Sequence, residues 1–125
     1  MLLVGNGKLI TRDSALPYLA DGAVVLDGDV VKEVGAFADL KAKYPDAEFV
    51  DAKGGVIMPG LINAHTHIYS GLARGLAIDG NNPTNFLEVL EGMWWNIDRH
   101  LTLDGTKASA YATVLDCIRD GVTTI

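Results

Sequence analysis

The sequence has 125 residues, with 10 lysines and arginines against 16 aspartates and glutamates and a formal net charge of −6. Apolar residues make up 49% of the chain, which is typical of a globular protein and excludes a disordered one. The acidic balance argues against nucleic acid, whose phosphates need a basic patch, and against an anionic membrane surface as partners. The single cysteine, Cys117, excludes an internal disulfide and favours a reduced, cytoplasmic setting.

The chain changes character near Pro59, and we predict two domains. Residues 1–57 have the pattern of short strands and turns, which indicates a small β module. Residues 58–125 have a strand–helix–strand pattern instead. Within the module, residues 23–26 and 30–34 are rich in valine and flank an Asp-Gly pair, which is a strong short-range signal for a β-hairpin.

The rest of the module contains three weaker signals. Residues 37–44 predict a short helix that ends before Pro45, and residues 48–51 predict another strand. Asn6-Gly7 lacks the spacing of a phosphate-binding loop, so we interpret this pair as a hairpin turn.

The second part begins with a long apolar run. Residues 56–66 predict one strand that is buried on both faces, as in a parallel α/β sheet. Residues 85–99 and 103–120 have apolar side chains at helical spacing, with Thr102 as the N-cap of the second helix and Gly121 just past its end. A last strand follows at the C-terminus, and this order predicts a crossover to a parallel partner strand.

Two histidines, His65 and His67, end the apolar run with one residue between them. On a strand these side chains share a face with Asn63, while Thr66 points to the other face, so the two imidazoles can converge on one cation. Neutral imidazole is a common ligand of zinc and iron, and the carboxyl end of a strand is where α/β folds place active sites. On spacing alone, a histidine pair hydrogen-bonded in a core is the alternative.

The segment around the histidines resembles the opening signature of the amidohydrolase superfamily. In that signature a β module leads into Pro-Gly, two apolar residues, Asp or Asn, and His-x-His, and residues 59–67 have this order. The hairpin of residues 23–35 and residues 72–77 are also similar to that family. The chain looks most like the branch of aminohydrolases, deaminases and chlorohydrolases. Residues 84–103 resemble an aminohydrolase subgroup that is linked by name to selenium metabolism.

This resemblance implies a (β/α)₈ TIM-type barrel that begins near residue 58, beside the N-terminal β module. In the superfamily one divalent metal ion is held by the His-x-His pair, a further histidine and a late aspartate. The resemblance therefore implies that His65 and His67 are metal ligands, for zinc or, as the alternative, iron. The metal would turn a bound water into hydroxide for attack on a carbon bonded to nitrogen.

The implied barrel is longer than the sequence. A barrel of this type takes about 250 residues, and 68 residues follow residue 57. We therefore expect residues 58–125 to form strand one, its helices and the start of strand two of a truncated barrel. The proton shuttle and the remaining ligands are expected beyond residue 125, so no catalytic acid–base residue is expected within the chain. Unpaired strand edges predict a homo-oligomer, and the fragment alone is expected to be inactive.

Two further residues are candidate substrate contacts. Asp98 matches a carboxylate that contacts substrate in the adenosine-derivative deaminases, and an exposed helix-end carboxylate is the alternative. Arg74, in the loop after the histidines, can either meet a substrate anion or anchor the loop. The adjacent Trp94 and Trp95 cannot share one helix face, so we expect one in the core and the other either lining a pocket or covering a barrel mouth. His100 is expected at the surface or in packing.

On the last helix we expect Cys117 to be buried, and Asp104 and Asp116 to be solvated charges. The function that the resemblance implies is hydrolysis of a C–N bond other than a peptide bond in a nitrogen heterocycle or amidine, such as deamination. An inactive protein of the same fold with an assembly or binding role is the alternative. The presence of both histidines favours the enzyme.

Overall fold

The computed structural model describes residues 1–125, which form two compact units, Met1–Pro59 and Gly60–Ile125. Both strands and helices are present, so the predicted α/β class is confirmed. None of the helices combines the length and the apolar character needed to pass through a membrane.

The first unit is a five-stranded sheet with one short helix. Its elements are β1 (Leu2–Ile10), β2 (Tyr18–Asp27), β3 (Val30–Ala36), α1 (Phe37–Lys43), β4 (Glu48–Asp51) and β5 (Val56–Ile57). Strand β1 pairs antiparallel with β2 and parallel with both β4 and β5, and β2 pairs antiparallel with β3. The predicted short helix and the strand after it are confirmed as α1 and β4.

The core of this unit lies between α1 and one face of the sheet. Leu40 of α1 is 3% exposed and packs in one cluster with Leu3, Ala23 and Val25. Leu3 and Val25 are directly paired across β1 and β2, and successive residues of a strand point to opposite faces. Alternation along the two strands therefore supplies the apolar surface on which the helix packs.

The predicted hairpin is confirmed. Asp27 pairs with Val30, which leaves Gly28 and Asp29 as a two-residue loop between β2 and β3. Gly28 has φ +63°, in the left-handed region that glycine enters without steric cost.

The interpretation of Asn6-Gly7 as a hairpin turn is wrong, because both residues lie inside β1. The register between β1 and β2 shifts between Val4 and Gly7, and Asn6 has φ +58°. This is an irregularity of the bulge type, and asparagine is one of the few residues other than glycine that adopt this conformation readily. The Asn6 side-chain amide also donates to a carboxylate oxygen of Asp51 at 2.7 Å.

The second unit is a strand–helix–strand crossover. Its elements are β6 (Leu61–Ile62), a 3₁₀ segment (Ile68–Ala73), α2 (Phe86–Val89), a π-helical turn (Leu90–Trp94), α3 (Trp95–His100), α4 (Leu103–Arg119) and β7 (Val122–Thr124). Strands β6 and β7 are parallel, as predicted. Both predicted ends of α4 are confirmed: the Thr102 hydroxyl accepts from the Gly105 N–H at 3.0 Å, and Gly121 has φ +78°.

The prediction of one buried strand over residues 56–66 is wrong. Strand β5 pairs with β1 and strand β6 pairs with β7, so the run is divided between two sheets. Pro59 has no N–H to donate to a strand ladder, and it lies with Gly60 between the two pieces. Leu61 is 46% exposed and Ile62 is 71% exposed. Strand β6 ends at Ile62, before the histidines.

We predict that Gly28→Ala lowers the free energy of unfolding by about 1 kcal/mol, because a residue with a Cβ is disfavoured in the left-handed region. No atom lies within 4 Å of the new Cβ, so the effect is conformational and not a clash. Gly28→Asn is the matched variant and should lose less, since asparagine tolerates this φ. Denaturant unfolding followed by circular dichroism measures both, and equal stability of Gly28→Ala and the parent chain would contradict the prediction.

Candidate metal centre

The imidazole rings of His65 and His67 converge just after strand β6. Their Nε2 atoms are 3.1 Å apart, their ring centroids are 5.2 Å apart, and both side chains are exposed. The two histidines follow the strand in an irregular segment. The structure thus brings the pair together by a local bend and not by strand alternation.

This separation fits a shared metal ion. Zinc–nitrogen bonds are about 2.0–2.1 Å long, so an ion bound to two Nε2 atoms 3.1 Å apart would have an N–metal–N angle of about 95–102°. Neutral imidazole nitrogen is also a donor that zinc and iron accept. The structure holds no group of three or more His, Cys, Asp or Glu side chains placed to bind a metal. His65 and His67 are therefore suited to be two ligands of a larger set.

Two aromatic rings contact the imidazole ring of His67. Trp94 stacks on the imidazole with ring centroids 5.5 Å apart and an interplanar angle of 30°. Tyr69 meets it edge-on, with centroids 6.0 Å apart and an angle of 68°. Aromatic pairs at such distances contribute about 0.5–1.5 kcal/mol beyond the area that they bury. The two rings therefore favour one orientation of the His67 side chain.

His67 also lines a cavity of about 540 Å³ in the second unit. Trp94 lines this cavity, as expected for one of the two tryptophans. Trp95 is 39% exposed, so the expectation that the other tryptophan lies in the core is wrong. Thr66 was expected to point away from the histidines, but it lines the same cavity as His67. Strand alternation does not apply there, because the segment is not a strand.

Asn63 and Cys117 form another part of the cavity wall. The Asn63 amide nitrogen lies 3.9 Å from the Cys117 sulfur, a long contact between the end of β6 and α4. Cys117 is 8% exposed, which confirms the expected buried cysteine.

Asp98 lies on α3 beside Tyr69 and does not line the cavity. Burial raises the pKa of the Tyr69 phenol, and the charge of the Asp98 carboxylate and a hydrogen bond to it add to the effect. Asp98 is exposed. It is therefore linked to the histidine pair through Tyr69, which contacts His67. No sequence motif indicated a functional role for Tyr69.

Arg74 is held by α4. Its guanidinium lies 2.8 Å from the Asp116 carboxylate, and its Nε donates to the Gly71 carbonyl oxygen at 3.0 Å. The structure therefore favours the loop anchor over the substrate-anion alternative. Asp116 was expected to be a solvated helix charge, and its partly exposed carboxylate also pairs with Arg74 and, at 3.3 Å, with Arg119.

The 3₁₀ segment after the histidines lies close to α4. A Cβ at Gly71 would overlap the Thr113 hydroxyl and would lie 2.8 Å from the Ser109 carbonyl oxygen. Only glycine permits this approach. Gly71 and the Arg74–Asp116 pair together hold the segment that follows His67 against the helix.

The third histidine is separate from the pair. His100 is exposed at the end of α3, and its Nδ1 donates to the Asn96 carbonyl oxygen at 2.7 Å. This is an ordinary bond between a histidine and the preceding helical turn.

The sequence of this chain is similar to a family model and to curated deaminases. Residues 22–47 match the family model of the imidazolonepropionase-like composite domain of bacteria. A 5′-deoxyadenosine deaminase of Methanosarcina mazei is 32% identical over 98% of this chain and 26% of its own length. A 5-methylthioadenosine/S-adenosylhomocysteine deaminase of Thermococcus onnurineus is 32% identical over 98% of this chain and 27% of its own length.

A solved structure supports the same relationship. The zinc complex of an atrazine chlorohydrolase from Arthrobacter aurescens matches with a TM-score of 0.77 and 29% identity, over 98% of this chain and 27% of that one. The resemblance to the amidohydrolase superfamily is confirmed. The chain spans about a quarter of the length of these superfamily relatives.

We predict that Arg74→Met raises the pKa of Asp116 toward its usual value. The hydrogen bond from Arg74 is the largest cause that lowers this pKa, and the charges of Arg74 and Arg119 act in the same direction. A lowered carboxyl pKa stabilises the fold above the unfolded-state value, near 3.8, and this contribution is lost as pH falls through the folded-state value. The variant should therefore be less stable than the parent at pH 7, and the difference should shrink below pH 4.

Carboxyl ¹³C NMR titration measures the Asp116 pKa directly. Arg119→Met is the matched control, because its contact with Asp116 is longer and its contribution is the smaller one. A larger shift in Arg119→Met than in Arg74→Met would contradict the assignment of Arg74 as the main partner.

Proposed function

We propose that the chain is the N-terminal part of a metal-dependent amidohydrolase that hydrolyses a C–N bond in a small molecule. In this proposal residues 1–57 are the N-terminal β module, and residues 58–125 supply the first βα unit of a (β/α)₈ barrel. Two relatives named as deaminases match 98% of the chain, which supports this assignment.

The observation that carries the proposal is the 3.1 Å separation of the two Nε2 atoms of His65 and His67. Both are exposed, and His67 lines the cavity, where an ion bound to the pair can meet a substrate. The solved chlorohydrolase is a zinc complex, which favours zinc over iron. When bound, such an ion lowers the pKa of a water molecule and supplies hydroxide near neutral pH.

The residues of this chain hold and orient the site. His65 and His67 supply neutral imidazole nitrogens, and Tyr69 and Trp94 hold the ring of His67. The Arg74–Asp116 pair keeps the backbone after His67 on α4. Further ligands and the acid–base residue that moves a proton to the leaving nitrogen are expected on later strands of the barrel.

The proposed substrate class is a nitrogen heterocycle or amidine. The relatives are named for 5′-deoxyadenosine and for 5-methylthioadenosine or S-adenosylhomocysteine, which contain such a ring. A cavity of about 540 Å³ is within the range of small-molecule sites. We propose Asp98 as a substrate contact, since it lies beside Tyr69, whose ring meets that of His67. A cytoplasmic homo-oligomer remains the prediction for the assembly.

We predict that His65→Ala or His67→Ala in the full-length protein removes bound metal and hydrolytic activity together, because each removes one of two converging donors. His100→Ala is the matched control and should retain both, since His100 is bonded only to its own helix. Elemental analysis gives the metal content, a deaminase screen gives the activity, and circular dichroism checks the fold.

An inactive protein of the same fold would give a different result for metal content. A parent protein that folds and holds no metal would refute the metal-dependent function and favour an assembly role. Unchanged metal content in the double histidine variant would show that the metal lies elsewhere.

A further inference from the structure

We propose that Trp94 is a positioning residue for His67: its indole ring holds the imidazole in the orientation in which Nε2 faces His65. The inference rests on the proposed function, because it concerns how a candidate metal ligand is oriented. It adds a role for a residue on a distant part of the chain that is not itself a candidate metal ligand.

His67 is exposed, so general burial does not fix the orientation of its ring. The polar contact of the ring is the one between its Nε2 and that of His65. The aromatic rings that contact it are Trp94, which stacks on it, and Tyr69, which meets it edge-on. A stacked indole restricts rotation of the imidazole about χ2, and that rotation decides where Nε2 points.

The backbone that carries Trp94 departs from a regular α-helix. This residue ends the π-helical turn Leu90–Trp94, in which the Trp95 N–H reaches the Leu90 carbonyl oxygen five residues back. One extra residue in a turn rotates the following side chains by about 100° relative to an uninterrupted α-helix. Such π turns are rare and occur frequently at functional sites.

Side-chain hydrogen bonds from Asn96 stabilise the π turn. The Asn96 amide donates to the carbonyl oxygens of Glu91 at 3.2 Å and of Gly92 at 3.1 Å. These bonds satisfy backbone groups of the interrupted helix. The helix therefore keeps an irregular turn at the point that places the indole on His67.

The test compares zinc affinity in the full-length protein, measured by competition with a chelator after metal removal. Trp94→Leu should weaken zinc binding about tenfold or more, which is the usual effect of removing a group that orients a ligand. Trp94→Phe keeps a flat ring and should remain within about threefold of the parent. Trp95→Leu is the matched control, since Trp95 is exposed and neighbours Trp94, and it should be unchanged.

A second measurement does not require metal. In the metal-free protein with labelled histidine, the ring protons of His67 should be shifted upfield by the indole, and Trp94→Leu should abolish the shift. If Trp94→Leu is too unstable to measure, the shift of the His67 ring protons in the parent and in Trp94→Phe tests the inference instead. An unshifted His67 ring in the parent would overturn the inference.

The outcomes separate the two proposals. Equal zinc affinity in Trp94→Leu and Trp95→Leu, with a parent that binds zinc, overturns the role of Trp94 and leaves the proposed function intact. A folded parent that binds neither zinc nor iron overturns the proposed function, and this inference with it. Recovery of affinity by phenylalanine is the result that a merely structural role for the indole would not give.

Discussion

The pairing of two short parallel strands determines where the candidate site lies. The Leu61 N–H donates to the Gly121 carbonyl oxygen at 2.9 Å, and the Asn63 N–H donates to that of Thr124 at 2.9 Å. These bonds place the chain that leaves β6 beside the end of α4. The segment after His67 then packs on the same helix through Gly71 and Arg74. Backbone hydrogen bonds between β6 and the chain after α4 thus fix where the histidine segment begins relative to α4.

Much of this arrangement could be predicted, because it depends on residues with a strong local preference. Gly28 marks the hairpin loop, and Thr102 and Gly121 mark the ends of α4 through a cap and a left-handed φ. The order of strand, helix and strand was enough to predict the parallel partner of β6. The motif of His65 and His67 indicated converging imidazoles, although the conformation that brings them together differs from the one assumed.

The features that sequence reasoning missed depend on competition between elements. A continuous apolar run indicated one strand over residues 56–66, but Pro59 interrupts it and each piece pairs with a different partner. Asn6-Gly7 is a common turn sequence, yet the pairing of β1 on both sides keeps it within a strand. The partner of Arg74 is Asp116, which lies far along the chain and has no motif around it. A contact between residues so far apart in the sequence can be predicted only when the position of the helix is known.

The closeness of His65 and His67 has a consequence for local opening of the molecule. One residue separates them, so their proximity depends on a short stretch of backbone, and the entropy lost in joining two groups grows with the loop between them. The stack of His67 on Trp94 joins groups from distant parts of the chain. Outward movement of the helix that carries Trp94 would therefore break the stack and leave the short backbone link between the two histidines unchanged. In such an opening both nitrogen donors would stay close together, and only the orientation that the indole gives to the His67 ring would be lost.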